Sequence, residues 1–489
     1  MVAGAVSLPL FSGFGACAIQ KRLEDAGVKL VITADAMPRA GKMVALKQNL
    51  DEALTGATTV EHCIVFSHMG VETPRIDGRD VDWDGLLRES APSLDTAQLD
   101  ADAMLTLAYT SGTTGKPKGV VMTHCGFLTK AVFDLLVICD LKQSDRFLWM
   151  SDFGWVVGSL SIVAVLQAGA TLVLADGAPD YPGDQNRLLR IAQDLDVSYL
   201  GVAPTLVRAF MKNDLQAIAR LDLSSVRVVI SSGEPWTPDA WNWCQKHVCG
   251  TAPLLNITGG TELSCSILAS TVIHPNKPCG FTGPIPGMGA RVFDADGNPA
   301  SAGEVGELVL THPSIGMTRG LWRDPDRYME TYWSTYTDVW RHGDWAAIDE
   351  DDIWFIHGRS DDTINIAGKR VGPAEIEALL TESGQVVDAA AIAVPDDLKG
   401  VAILCVCVPM TDADGNEAVA GELSQYVVRE MGAPFRPKEI VFVEELPKTR
   451  NMKTMRRVVR AAYIGNDPGD LSSLVNADCI DALEKAFGR

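Results

Sequence analysis

No Cys-x-x-Cys pair occurs among the 11 cysteines, an odd number scattered along the whole chain. Neither a zinc ribbon nor a disulfide framework is therefore expected, and reduced thiols of this kind point to the cytoplasm. Cys244 and Cys249 flank His247, but no second ligand pair follows, so a helix end with incidental thiols is the expectation. Cys405 and Cys407 alternate within VAILCVCV, which reads as a buried strand with thiols as small apolar fillers. Basic residues are also short. Lys and Arg total 42 against 63 Asp and Glu, a net charge of −21. That argues against a general nucleic-acid or anionic-membrane binder, which needs a cationic surplus. It leaves room for a local basic pocket. Long apolar runs are missing too. SIVAVLQAGATLVL is broken by Gln167 and Gly169 and is too short to span a bilayer. The apolar start MVAGAVSLPLFSGFGACAIQKR has no basic segment ahead of it and reads as core rather than signal peptide. No internal repeat or low-complexity tract is visible.

What is present is a large apolar complement, 47% of 489 residues. It can build two or three units with substantial cores. Val- and Ile-rich runs (VKLVITAD, HCIVFSHM, ATLVLADG, VSYLGVAPT, VRVVISSGEP) alternate with helical patterns through the first three quarters. That alternation predicts parallel sheets with helices packed on them. From Ala290 the texture changes. ARVFDADGNPASAGEVGELVLTH predicts antiparallel strands joined by an Asp-Gly turn, and DWAAIDEDDIWFIHGRSDD a second hairpin. GPAEIEALLTES reads as a helix with Pro373 at its start, and VVDAAAIAVPDD with GVAILCVCVPM as strands of a small α+β unit. A boundary is expected near Gly358–Asp362.

One stretch carries chemistry: YTSGTTGKPKGVVMTH, Tyr109 to His124. The Walker loop G-x-x-x-x-G-K-[ST] fails here, because Gly112 and Gly115 are only two residues apart and Pro117 follows Lys116. Phosphate still suits the composition. Thr110, Ser111, Thr113 and Thr114 offer hydroxyls, Gly112 and Gly115 let main-chain N–H groups wrap an anion, and Lys116 and Lys118 bring charge.

YTSGTTGKPKG resembles the signature loop of the adenylate-forming superfamily, which holds acyl-CoA synthetases, peptide-synthetase adenylation domains and beetle luciferase. Further likenesses follow in the superfamily's order: SSGEP, ITGGTEL, WRHGDWA, GRSDDTINIAGKRVGPAEIE and LPKTRNMKTMRR. SSGEPWTPDAWNW, MTRGLWRDPDRYMETYWS and ELPKTRNMKTMRRVVR are most similar to acetyl-CoA synthetases and their short- and medium-chain relatives. The resemblance covers nearly the whole chain and begins inside the family's large domain, so a chain without the usual N-terminal segment is expected. It implies an α/β fold. A large N-terminal domain, 1–360, would have parallel and mixed sheets flanked by helices and a small β-barrel-like part. A small mobile α+β domain, 361–489, would carry the catalytic lysine.

The resemblance also implies roles, with ATP, Mg²⁺ and coenzyme A as cosubstrates and cofactor. Thr110, Ser111, Gly112, Thr113, Thr114, Gly115 and Lys116 would embrace the β- and γ-phosphates. Thr261 would touch the α-phosphate and Glu262 would hold Mg²⁺. Gly233, Glu234 and Pro235 would pack on adenine, with Asn256, Ile257, Thr258, Gly259 and Gly260 beside the nucleotide. Asp344 would accept the ribose hydroxyls, Arg359 would reach ribose or phosphate, and Arg370 the α-phosphate. Taken alone, Glu262 could be an ordinary helix-start carboxylate, Asp344 a turn residue and the arginines solvated charges. Lys453 would enter the site to steady carboxylate and α-phosphate, although Asn451 and Met452 replace the family's usual Ser and Gly. Asp361 would be the hinge for domain rotation. Arg22 and Gly368 would serve coenzyme A.

Trp155, Val156 and Val157 resemble one wall of the acyl pocket. The bulky tryptophan that closes it in acetate enzymes corresponds to Gly259, and the neighbouring Gln to Gly260. Losing an indole opens volume, so the expected acid is larger than acetate: propionate to medium-chain, branched, hydroxylated or aryl. The expectation is an AMP-forming carboxylate–CoA ligase acting on a small acid, with no nucleic acid or membrane insertion and a homodimer left open. Two alternatives rank lower: an adenylating enzyme with another thiol acceptor, and a shortened nucleotide-binding homologue without turnover.

Overall fold

The computed structural model describes residues 3–39, 41–56, 59–89, 93–110, 118–179, 183–360, 364–366, 369–396, 400–410, 416–449, 453–471 and 473–488. Everything below refers to these residues.

The Val- and Ile-rich runs form the expected sheets, because strands buried on both faces need apolar side chains on both. A mixed sheet has the order Gly283–Pro284, Cys265–Ala269, Leu254–Gly260, Val228–Ser231, Tyr199–Val202, Arg146–Trp149, Thr171–Leu172. The strands from Leu254–Gly260 to Thr171–Leu172 run parallel; Cys265–Ala269 runs antiparallel to Leu254–Gly260, and Gly283–Pro284 antiparallel in turn to Cys265–Ala269. Helices cover it, among them His124–Val132, capped by the Thr123 hydroxyl accepting from Gly126 N–H at 3.1 Å, and Val156–Gln167. The main core lies between, with Phe127, Phe147, Ile230, Ile257 and Trp340 buried.

A smaller parallel sheet joins Leu30–Ala34, His62–Phe66 and Asp80–Asp82. The N-terminal apolar stretch packs against it as core: Phe11, Phe14, Ala18 and Leu23 are buried around helix Ala16–Ala26. The barrel-like part is a four-stranded antiparallel sheet of Ala290–Phe293, Gly306–Leu310, Trp340–Ile348 and Trp354–Arg359. The Asp-Gly turn lies inside the longer connection 294–305 and does not by itself join the first two strands. Asp294 holds the turn by accepting from the N–H groups of Asp296 and Asn298, each at 2.9 Å.

The last quarter folds as α+β. Val386–Asp396 and Gly400–Pro409 form a long antiparallel hairpin, and Glu439–Phe442 adds in parallel. Pro373 is at the first position of helix Pro373–Glu382. Cys405 and Cys407 are fully buried in their strand. Cys244 and Cys249 are buried in the core with sulfurs 3.8 Å apart. Among the described residues no helix is long and apolar enough to cross a membrane.

Candidate active site

Parallel strands in an α/β sheet deliver their following residues to one edge, where ligands bind. Two strands bring sequence-predicted segments there. Val228–Ser231 runs into Gly233, Glu234 and Pro235. Leu254–Gly260 carries Asn256 to Gly260 and runs into the tight turn Thr261–Leu263. Gly233 has φ 115°, which glycine adopts at little cost, and open space lies where a β-carbon would stand. A flat ring can approach the main chain there. Arg208 donates to Glu234 at 2.7 Å, and the Thr205 hydroxyl bonds the same carboxylate. Asn256 is buried and its amide donates to the Cys279 carbonyl at 3.4 Å.

Glu262 is the centre of a second group. The Tyr332 hydroxyl donates to it at 2.6 Å. Tyr332 is stacked on Trp340 with ring centres 4.1 Å apart and planes within 5°. The Lys118 ammonium lies 5.2 Å from the centre of the Tyr332 ring. Lys118 pairs with Thr110 at the open end of the hairpin Met104–Thr110/Lys118–Thr123. The base of the phosphate loop and the carboxylate expected to hold Mg²⁺ thus share one tyrosine. Ser111 to Lys116 lie outside the described residues.

Asp344 is a strand residue of Trp340–Ile348, paired with Arg359 on the neighbouring strand, rather than a turn residue. Its carboxylate meets Arg359 at 3.3 Å and His342 at 3.4 Å. His342 also borders Gly260, whose β-carbon, if present, would be 3.0 Å from the His342 ring and 3.0 Å from the Glu262 carboxylate. Burial pulls the His342 imidazole below its ordinary value, against the opposing pull of Asp344. Beneath the group, buried Glu307 accepts from Gly343 N–H at 3.1 Å and from the Ser360 hydroxyl at 3.0 Å, and pairs with Arg341 at 3.2 Å. Burial raises the Glu307 carboxyl, opposed by Arg341.

The acyl segment behaves differently from the sequence expectation in one respect. Val156 and Val157 open helix Val156–Gln167, and Trp155 lies 5.5 Å from Phe11, centre to centre. Gly259, however, is half-buried and has no room for a side chain in the direction its β-carbon would take. A β-carbon there would stand 2.0 Å from the Cys265 carbonyl oxygen and 2.7 Å from Ser266 Cα. The register between these strands shifts between Thr258 and Gly259. The antiparallel neighbour's main chain lies against the glycine and leaves no space for a side chain at this position.

Arg22 is buried, its guanidinium 4.1 Å above the Phe14 ring and donating to the Ala18 carbonyl at 2.8 Å. Burial lowers its pKa, against Asp470 and Tyr109. Lys453 is exposed, and its N–H donates to the Thr449 hydroxyl at 3.2 Å in its own turn. Arg370 is in the short strand Lys369–Val371, its side chain outside the description. Asp361 and Gly368 also lie outside it. Sequence reasoning did not single out Tyr332, His342, Glu307 or Arg208. Tyr332 stands in the quoted METYWS segment, but its partner is 70 residues away and no local pattern reveals the pairing.

Among the described residues no group of three or more His, Cys, Asp or Glu side chains could hold a metal. One carboxylate beside a phosphate loop is still the donor set that fits Mg²⁺, which takes most of its ligands from phosphate oxygens and water.

Residues 1–322 match the family described as AMP-binding enzyme, and residues 375–453 the AMP-binding enzyme C-terminal domain. The acetyl-coenzyme A synthetase of Rubrobacter xylanophilus is 39% identical over 487 residues, 99% of this chain and 75% of its own length. That of Methanothrix thermoacetophila is 36% identical over 486 residues, 98% of this chain and 74% of its own. The structure of acetoacetyl-CoA synthetase from Streptomyces lividans matches with a TM-score of 0.86 at 28% identity, covering 97% of this chain and 72% of that one. An anthranilate CoA ligase in complex with anthranoyl-AMP shares the fold, with a TM-score of 0.80 at 23% identity over 94% of this chain and 83% of that one. The chain belongs to the AMP-binding enzymes of the adenylate-forming superfamily. It is an AMP-forming acid–thiol ligase of the acyl-CoA synthetase type, a class that works with ATP, Mg²⁺ and coenzyme A.

Proposed function

We propose that the chain activates an acid larger than acetate and transfers the acyl group to coenzyme A. In the first half-reaction a carboxylate oxygen attacks the α-phosphorus of ATP and pyrophosphate leaves. In the second, the thiol sulfur attacks the acyl carbonyl, AMP leaves, and the thiol proton is lost. The first step joins two anions, so it needs preorganised positive charge and donors.

The proposed roles are those that the family resemblance implies. Thr110 and the 111–116 loop take the β- and γ-phosphates, Thr261 the α-phosphate, and Glu262 the Mg²⁺ ion. Gly233 to Pro235 and Asn256 take adenine, and Asp344 with Arg359 the ribose. Arg370 and Lys453 neutralise charge in the first half-reaction. Arg22 and Gly368 serve coenzyme A, with rotation about Asp361 between domains 1–360 and 361–489. All 11 cysteines are free thiols, which supports a reducing, cytoplasmic setting.

The observation that carries the larger acid is Gly259. A side chain of any size there meets the Cys265 carbonyl, so the bulky stop of an acetate pocket has no place at this position. The test is release of AMP and pyrophosphate with and without CoA, over acids from acetate to octanoate plus hydroxylated, branched and aryl acids. A CoA-dependent optimum beyond acetate supports the reading. An optimum at acetate overturns it.

A further inference from the structure

A buried ion pair that none of the assigned roles uses lies directly behind the Gly259 wall. Lys130 and Asp134, one helical turn apart, are 2% and 0% exposed. Both meet the antiparallel strand at Ser266: Asp134 accepts from Ser266 N–H at 2.9 Å and also from the neighbouring Cys265 thiol, and Lys130 donates to the Ser266 carbonyl at 2.7 Å. Ser266 is the residue paired with Gly259, where the ladder shifts register, and its neighbour Cys265 presents the carbonyl that fills the space beside Gly259. Main-chain groups at such a shift lose ladder partners and need others. The pair supplies both.

We propose that Lys130 and Asp134 are positioning residues that set acyl selectivity by holding the Cys265–Ser266 main chain against Gly259. Charge attraction alone is a weak reason for them. A buried pair costs much of its attraction in desolvation, and apolar residues of similar volume often serve as well. Apolar residues could not anchor the N–H and C=O of Ser266 in one place. The pair therefore fixes a wall made of main chain, where a side chain would otherwise do it. The inference deepens the larger-acid reading and rests on Gly259 lining the acyl pocket.

The test uses the full chain carrying Lys130→Met with Asp134→Leu, which removes both charges together. kcat and KM are measured for straight-chain acids from acetate to octanoate, with KM for ATP and thermal stability in parallel. Acid KM should rise and the selectivity between acids one methylene apart, about tenfold or more in a closed apolar pocket, should flatten, while KM for ATP stays within about twofold. Gly259→Ala should also lower kcat/KM for the acid less in this background than in the parent, because a released wall can retreat from the new methyl. A folded variant with an unchanged acid profile and no coupling to Gly259→Ala overturns the proposal. Should the double variant not fold, Lys130→Arg, which keeps the charge and alters the reach, gives the same readout: a shifted acid profile supports the clamp and an unchanged one sinks it. The parent's own optimum decides the larger-acid reading separately, since the clamp is judged only on the variant-to-parent ratio.

Discussion

The Tyr332 hydroxyl donates to the Glu262 carboxylate at 2.6 Å, and the same ring lies under the Lys118 ammonium. One side chain therefore links the proposed Mg²⁺ ligand to the base of the phosphate loop. Its stacking on Trp340, fully buried, holds the ring in place and is worth about 0.5–1.5 kcal/mol beyond burial. Tyr332→Phe keeps the stack and removes only the donor. A hydrogen bond to a charged group is worth about 1.5–3 kcal/mol, so kcat/KM for ATP should fall roughly tenfold or more, with a higher Mg²⁺ requirement. Titration of activity against Mg²⁺ checks it. An unchanged Mg²⁺ curve would show that Tyr332 does not orient Glu262.

Lys453 is exposed in this structure, and its N–H donates to the Thr449 hydroxyl. If it acts only when the C-terminal domain turns it inward, Lys453→Ala should cut acyl-adenylate formation by about 100-fold or more. Thioester formation from preformed acyl-AMP should be spared. Assaying the half-reactions separately, pyrophosphate exchange for the first and CoA consumption for the second, distinguishes the role from misfolding.

Arg208 and Thr205 hold the Glu234 carboxylate beside the open main chain of Gly233. The ion pair is partly solvated, with side chains 30% and 22% exposed, and pairs of that kind contribute about 0–1 kcal/mol. Arg208→Ala should accordingly raise KM for ATP only about two- to fivefold and leave KM for the acid unchanged. A larger effect on the acid would place this segment at the acyl pocket instead.

His342 supplies a pH dependence. Burial holds its imidazole pKa below the ordinary value, which is about 6.5 in an unfolded chain. The folded state thus binds fewer protons than the unfolded state in the window between the two values. The stability contribution is fully present above about pH 6.5 and is lost as pH falls through the folded value. Thermal melts between about pH 8 and pH 5 should show a decline that His342→Gln reduces. Identical slopes for the two proteins would mean that other groups set the acid limb.

Much of this was legible in the primary structure because it is local. Strand and helix follow from the period of apolar residues, as in VAILCVCV and the helix started by Pro373. The phosphate loop, the Thr261–Glu262 turn and the Gly-Asp segment can be recognised because each ligand group is met by a short run of neighbours. What needed the tertiary structure was every pairing across the chain. Tyr332 reaches Glu262 over 70 residues, and Lys130 reaches Ser266 over 136. Asp344 lies in a strand facing Arg359, although its local sequence allows a turn. Gly259 marked the acyl wall in the sequence, but only the packed sheet decided what stands there. Strands pack until main-chain groups are paired and voids are filled, and here that sets the Cys265 carbonyl where a Gly259 β-carbon would stand.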